Sequence, residues 1–153
     1  MKKISCLLLV GVLLGYSAQA QTAVDSVKAT VRQLFFAMLE GDGSMLRDCF
    51  TDNPVLQTIT TNKEGKLIVR TDSLETFVRI VGTSPKGLAD ERIVFDMVKV
   101  DGPLATVWTP YQFYRRADFS HCGVNSFQLV RTHNKWRIQY LIDTRRKSNC
   151  VEE

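Results

Sequence analysis

Apolar residues recur at helical spacing in the chain beyond residue 20. The residues with this spacing are Val24, Val27, Val31, Leu34, Phe35 and Met38. Steps of three and four residues place them on one face of a helix, and Gly41 then supplies a common helix end. The pattern predicts an amphipathic helix that buries one stripe against a core.

Shorter elements are predicted between residues 44 and 82. A second helix is predicted over residues 44–50. Residues 55–61 and 66–70 have the composition of two strands joined by a glycine-containing turn, which predicts a hairpin. Asp72, followed three residues later by Glu75, predicts the start of a third helix that ends near residue 82.

The C-terminal half has the composition and period of strands. β-branched and aromatic residues dominate four runs, at residues 91–100, 104–114, 119–130 and 136–144. Short polar turns join the runs, so the sequence predicts a four-stranded antiparallel meander. Helices followed by such a sheet indicate an α+β fold in which one face of the sheet is covered by the helices.

The first 20 residues have the order of a secretory signal peptide. Lys2 and Lys3 precede an apolar run at residues 4–14, and the small residues of Ala18-Gln19-Ala20 follow. The run is shorter than the roughly 20 residues that a membrane anchor needs. We therefore expect cleavage after Ala20, a single domain over residues 21–153, and a periplasmic or secreted protein with no membrane segment in its mature form.

Charge and cysteine content exclude some partners and leave others open. The net charge of +4 falls to about +2 without Lys2 and Lys3, and the basic residues form only short clusters, so we expect no nucleic-acid partner. Cys49 and Cys122 are expected to pack as small apolar residues, while the pairing of Cys150 stays open.

Strand alternation sorts the side chains of the meander into two faces if each hairpin is regular about its turn. The face expected to lie under the helices holds Trp108, Gln112, Tyr114, His121, Asn125, Phe127, Trp136, Ile138, Tyr140 and Ile142. The opposite face holds Val107, Tyr111, Phe113, Cys122, Val124, Leu141 and Asp143. A single β-bulge would exchange part of these sets. The second face is apolar enough to predict a homodimer.

His121 and Cys122 are adjacent in a strand, so their side chains point to opposite faces and cannot form a dyad. The other histidine, His133, lies in a predicted turn, and we expect neither a metal nor a cofactor. A pocket is predicted instead. Its expected lining is Gln57, Trp108, Gln112, Tyr114, His121 and Asn125.

Two long segments, VRQLFFAMLEGDGSMLRDCFTDNPVLQT and WTPYQFYRRADFSHCGVNSFQLV, together with WRIQYLIDTRRK, resemble the nuclear transport factor 2-like superfamily. The similarity spans nearly all of residues 21–153 and is greatest to a branch of exported bacterial proteins named for lumazine binding. The resemblance implies a cone-shaped, curved sheet wrapped around the N-terminal helices, with a pocket at the open end. Ketosteroid isomerases of this superfamily place a carboxylate base where this chain has Thr58, and a threonine cannot serve as that base.

Three functions are consistent with these residues and with the resemblance. The first is an exported protein that binds a small, flat, partly apolar molecule in the pocket. The second is a cofactor-free lyase or isomerase that uses His121 with Asp96 or Tyr114. The third is an interaction module whose pocket is filled. Asp96 could instead be a surface residue, which is the more common position for an aspartate, and His121 could bond Asn125 within the sheet.

Overall fold

The structure, a computed structural model, describes the backbone of residues 4–150 and the side chains of residues 22–150. Three helices precede or interrupt the sheet: α1 (Ile4–Glu40), α2 (Gly43–Arg47) and α3 (Leu74–Gly82). The strands are β1 (Phe50–Thr61), β2 (Leu67–Asp72), β3 (Ala89–Ile93), β4 (Met97–Asp101), β5 (Leu104–Arg115), β6 (Asp118–Thr132) and β7 (Lys135–Thr144). The side chains at the expected cleavage site after Ala20 lie outside the described ones, so cleavage stays a prediction.

The predicted amphipathic face of α1 is buried against the sheet. Val27, Val31 and Leu34 have at most 1 % of their surface exposed, whereas Phe36 on the other side of the helix is 52 % exposed. Phe35 meets Phe127 of β6 edge to face, with ring centroids 6.2 Å apart. The core of the molecule therefore lies between α1 and one face of the sheet, as predicted from the sequence.

The helix starts differ from the predicted ones by one or two residues. Asp42 caps α2 by accepting a hydrogen bond from the Met45 backbone N at 2.9 Å. Ser73, rather than Asp72, caps α3 through the Thr76 backbone N at 3.2 Å. Glu75 does not complete a capping box but pairs with Arg47 of α2.

The described strands form one curved, unclosed, mixed sheet in the order β2-β1-β7-β6-β5-β3, with β4 beside β5 as well. β1 runs parallel to β7, and the other pairings are antiparallel. The predicted strand over residues 91–100 is divided into β3 and β4 around residues 94–96. The division lies opposite Pro110 of β5, which has no N–H group to donate to a neighbouring strand.

Two β-bulges decide which face of the sheet each side chain occupies. The turns are paired as predicted, with Arg115 opposite Asp118 and Thr132 opposite Lys135. Ser120 is then an extra residue in β6, because Tyr114 pairs with Phe119 but Phe113 pairs with His121. Gln139 is likewise extra in β7, because Leu129 pairs with Ile138 but Gln128 pairs with Tyr140.

Beyond each bulge, the side chains of the paired strand lie on the opposite face of the sheet from the predicted one. The bulges therefore correct the predicted assignment of faces. The inner face holds His121, Asn125, Phe127, Trp136 and Ile138, as predicted, but also Tyr111, Phe113, Leu141 and Asp143. Trp108, Gln112 and Tyr114 lie on the outer face. The residues predicted to form an apolar dimer surface are therefore largely interior, so that surface was assigned wrongly.

Candidate functional site

A cavity of about 360 Å³ lies between α1, α3 and the inner face of the sheet. Its apolar lining includes Leu34, Phe35 and Met38 of α1, Phe77 of α3, Leu56 of β1 and Phe113 of β5. Polar side chains from β1, β3, β6 and β7 reach the same space. An apolar wall with a few converging polar groups is the usual construction of a small-molecule site.

Gln57, His121 and Asn125 of the predicted site line this cavity, and Trp108, Gln112, Tyr114 and Asp96 do not. Trp108 is 40 % exposed. Tyr114 donates a hydrogen bond to Gln112 Oε1 at 2.6 Å, outside the cavity. Asp96 is exposed between β3 and β4, and only its backbone N bonds Trp108, at 3.1 Å. Trp108, Gln112 and Tyr114 lie outside the cavity because the Ser120 bulge turns β5 over relative to β6. Asp96 has the surface position that the sequence also allowed.

Glu91 of β3 is a cavity residue that the strand pattern did not reveal. Asn125 Nδ2 donates a hydrogen bond to Glu91 Oε1 at 2.8 Å. Burial raises the pKa of Glu91 from its ordinary value of 4.5 to about 7, although the bond from Asn125 opposes the increase. The carboxyl group can therefore hold or release a proton near neutral pH.

Asp143 of β7 joins three other cavity residues, Thr58, Arg145 and Tyr111, in one network. Thr58 Oγ1 donates to Asp143 Oδ1 at 2.6 Å, and Arg145 Nε donates to Asp143 Oδ2 at 2.8 Å. Tyr111 OH donates to the Thr144 carbonyl at 2.9 Å and lies 3.4 Å from Asp143 Oδ2. Burial, with the negative charges of Glu91 and Asp143, raises the pKa of Tyr111, so its hydroxyl stays protonated.

His121 stands among the aromatic rings of the cavity. Its ring centroid lies 4.9 Å from that of Phe113 and 5.8 Å from that of Tyr111. Its Nδ1 is 3.0 Å from the Ser120 hydroxyl. Burial, and then the positive charge of Arg145, lower the pKa of His121, which favours the neutral imidazole.

Gly123 of β6 permits the close approach that builds this end of the cavity. A Cβ atom there would lie 1.8 Å from the Thr144 carbonyl oxygen and 2.8 Å from Cε1 of Tyr111. A glycine therefore allows both the Tyr111 ring and the backbone that leads to Arg145 to cross the strand at short distance. This requirement is invisible in a strand pattern.

The C-terminal segment after β7 is held to the same strand by a disulfide. Cys122 pairs with Cys150, with Cα atoms 5.7 Å apart, and Cys122 and Arg146 exchange backbone hydrogen bonds of 2.8 and 2.9 Å. The expectation that Cys122 is a packed thiol is wrong, because the segment after Thr144 folds back over it. Cys49 is a buried free thiol, and burial raises its pKa to about 12.

The described part of the chain contains neither a cluster of metal-ligating side chains nor a membrane-spanning helix. Among residues 22–150, no group of three or more His, Cys, Asp and Glu side chains is arranged to hold a metal ion. None of the described helices combines the length and the apolar composition of a membrane span.

Solved structures resemble this chain in fold, although no protein-family model and no curated protein matches its sequence. An NTF2-like protein of unknown function from Silicibacter pomeroyi is 17 % identical, with a TM-score of 0.66 over 82 % of this chain and 98 % of the other. A cystatin-like domain of unknown function from Nostoc punctiforme is 20 % identical, with a TM-score of 0.62 over 84 % of this chain and 80 % of the other. A protein from Streptomyces avermitilis, proposed to be a dehydratase of the NTF2-like family, is 16 % identical, with a TM-score of 0.61 over 84 % and 99 %. The fold is thus of the nuclear transport factor 2-like type, as the sequence predicted, while the lumazine-binding branch stays a prediction.

Proposed function

We propose that this protein binds a small, partly apolar molecule in the cavity between its helices and sheet. The observation that carries the proposal is the convergence of Glu91, His121 and Asn125 on one largely apolar space of about 360 Å³. Such a space accommodates a molecule of one or two rings, and its polar groups would orient that molecule. An open cavity also argues against an interaction module with a filled pocket.

We further propose that the protein acts outside the cytoplasm, in the periplasm or after secretion. The Lys2-Lys3 pair, the apolar run and Ala18-Gln19-Ala20 support export. The Cys122–Cys150 disulfide supports it independently, because disulfides persist mainly in oxidising compartments.

A thermal-shift screen of residues 21–153 against flat heterocycles, sterols and aromatic acids tests the binding function, because a ligand that binds the folded state raises its melting temperature. Phe113→Ala, within the cavity, should weaken any hit by about tenfold. Phe119→Ala is the matched control, since Phe119 is 44 % exposed and lies outside the cavity. A hit that both variants weaken equally would bind elsewhere, and a screen without hits would count against the function.

An acid–base enzyme is the second candidate, and the pKa of about 7 at Glu91 favours it. Asp96 and Tyr114, the predicted partners of His121, lie outside the cavity, so the acid–base groups on offer are Glu91 and neutral His121. A binding protein would leave the α-protons of a cyclic ketone such as cyclohexanone unexchanged in heavy water. An enzyme of this kind would exchange them, and Glu91→Gln would stop the exchange.

A further inference from the structure

The charges of the cavity do not cancel. Arg145 pairs with Asp143, at 2.8 Å, and Arg70 at the rim pairs with Asp72, at 3.0 Å. Glu91 is bonded instead to the neutral amide of Asn125. Among the described residues that line the cavity, Glu91 is therefore the acidic residue that forms no ion pair, although the more distant charge of Arg145 lowers its pKa somewhat, and its ionisation leaves the site with an excess negative charge.

We propose that the ligand is a cation with an apolar body, a protonated amine attached to one or two rings, whose ammonium group lies against Glu91. This inference rests on the binding function proposed above and names its ligand class. A cation would supply the missing partner of Glu91, and the apolar walls would bury the rings.

The walls around Glu91 favour a cation over an anion. The Tyr111 and Phe113 rings both contact the His121 ring on the inner face, the first edge to face and the second tilted, and the faces of aromatic rings attract positive charge. Arg145 is the cation that an anionic ligand would seek, but its Nε is already bonded to Asp143. An anion would therefore meet a guanidinium whose charge is already shared with Asp143, and it would also face the charge of Glu91.

Binding of a cation should be coupled to the release of a proton. Besides Glu91, the ionisable and charged residues that face the cavity are Tyr111, His121, Asp143 and Arg145, with Arg70 and Asp72 at its rim. The lining residues of α1 and α3 are apolar or carry a hydroxyl group. Tyr111 stays protonated and His121 stays neutral above its lowered pKa. Glu91, with a pKa of about 7, is the group that changes charge, so affinity for an amine should rise between about pH 6 and about pH 8.

Three probes of one shape test the ligand class: naphthylethylamine, naphthylethanol and naphthylacetate, titrated calorimetrically against residues 21–153. The amine should bind at least about tenfold more tightly than the alcohol, and the acid most weakly. Equal or tighter binding of the alcohol or the acid would overturn the inference and leave the binding function intact. If none of the three binds at millimolar concentration, the inference and the proposed function both fail for ligands of this size.

A pair of matched variants assigns the preference to Glu91. Glu91→Gln keeps the shape and the bond from Asn125 but removes the charge, so the amine should lose its advantage over the alcohol. Asp90→Asn removes one negative charge from the neighbouring residue, which pairs with Arg92 at 3.0 Å on the other side of the strand, and should preserve the advantage. The assignment to Glu91 would be contradicted if Glu91→Gln still bound the amine more tightly than the alcohol. It would also be contradicted if Asp90→Asn abolished that preference to the same extent.

Discussion

At the scale of single residues, the burial of the Glu91 carboxylate lowers the free energy of unfolding of the protein. In the unfolded chain its pKa is near 4.5, and in the folded protein burial raises that pKa to about 7. The folded protein therefore holds the Glu91 proton more tightly than the unfolded chain does. Below about pH 4.5 both states are protonated and the cost is absent; it grows as the pH rises and is complete above about pH 7.

Glu91→Gln should therefore stabilise the protein at high pH and not at low pH. The free energy of unfolding of the variant should exceed that of the parent protein by up to about 3 kcal/mol at pH 8, with a difference near zero at about pH 4. Urea denaturation at several pH values measures this difference. Asp90→Asn is the control and should show no comparable rise with pH; a flat difference for Glu91→Gln would mean that Glu91 is not buried as described.

At the scale of elements, the segment after β7 depends on β6 for its position. The backbone pairing of Cys122 with Arg146 and the disulfide to Cys150 hold the residues that follow Arg145 against β6. Gly123 lets this segment cross close to the strand. The cavity group Arg145 is thus placed by β6 as well as by its own strand.

Loss of the disulfide should destabilise this arrangement. The bridge closes a loop with a sequence separation of 28, and a loop of that size corresponds to about 3.5 kcal/mol in the free energy of unfolding. Thermal unfolding with and without a reductant should show a lower melting temperature for the reduced parent protein. Cys150→Ala should unfold at that lower temperature in both conditions, so a reductant effect that persists in Cys150→Ala would point to another cause.

At the scale of the whole molecule, most of the residues on which the dimer prediction was based lie inside the protein and not on its surface. Tyr111 is 4 % exposed and Val107 is fully buried, and Tyr111, Phe113 and Leu141 line the cavity. A charge at Tyr111 would therefore disturb the cavity and the core rather than split an interface. The homodimer itself stays a prediction.

Export is also a prediction about the whole chain, and the mass of the exported protein tests it directly. Mass spectrometry of the protein secreted or released from the periplasm should find Gln21 as the first residue, because the small residues at Ala18 and Ala20 place the cleavage site between Ala20 and Gln21. Ala20→Lys, which removes a small residue from that site, should block processing. An exported protein that still begins at Met1 or Lys2 would contradict the signal-peptide assignment.

The sequence by itself determined the α+β class, the buried face of α1, and the turns at residues 115–118 and 132–135, since helical periodicity and turn chemistry are local properties. Of the predicted site positions, His121, Asn125 and Gln57 border the cavity, and their role in binding a ligand stays a prediction. Only the tertiary structure decided the bulges at Ser120 and Gln139, because an extra residue is accepted where packing across the whole sheet favours it and leaves little trace in local alternation. Those bulges placed Trp108, Gln112 and Tyr114 outside and Tyr111, Phe113 and Asp143 inside. The roles of Glu91, Gly123 and Cys150 likewise depend on contacts between residues far apart in the chain, and those contacts exist only once the sheet has curved around α1.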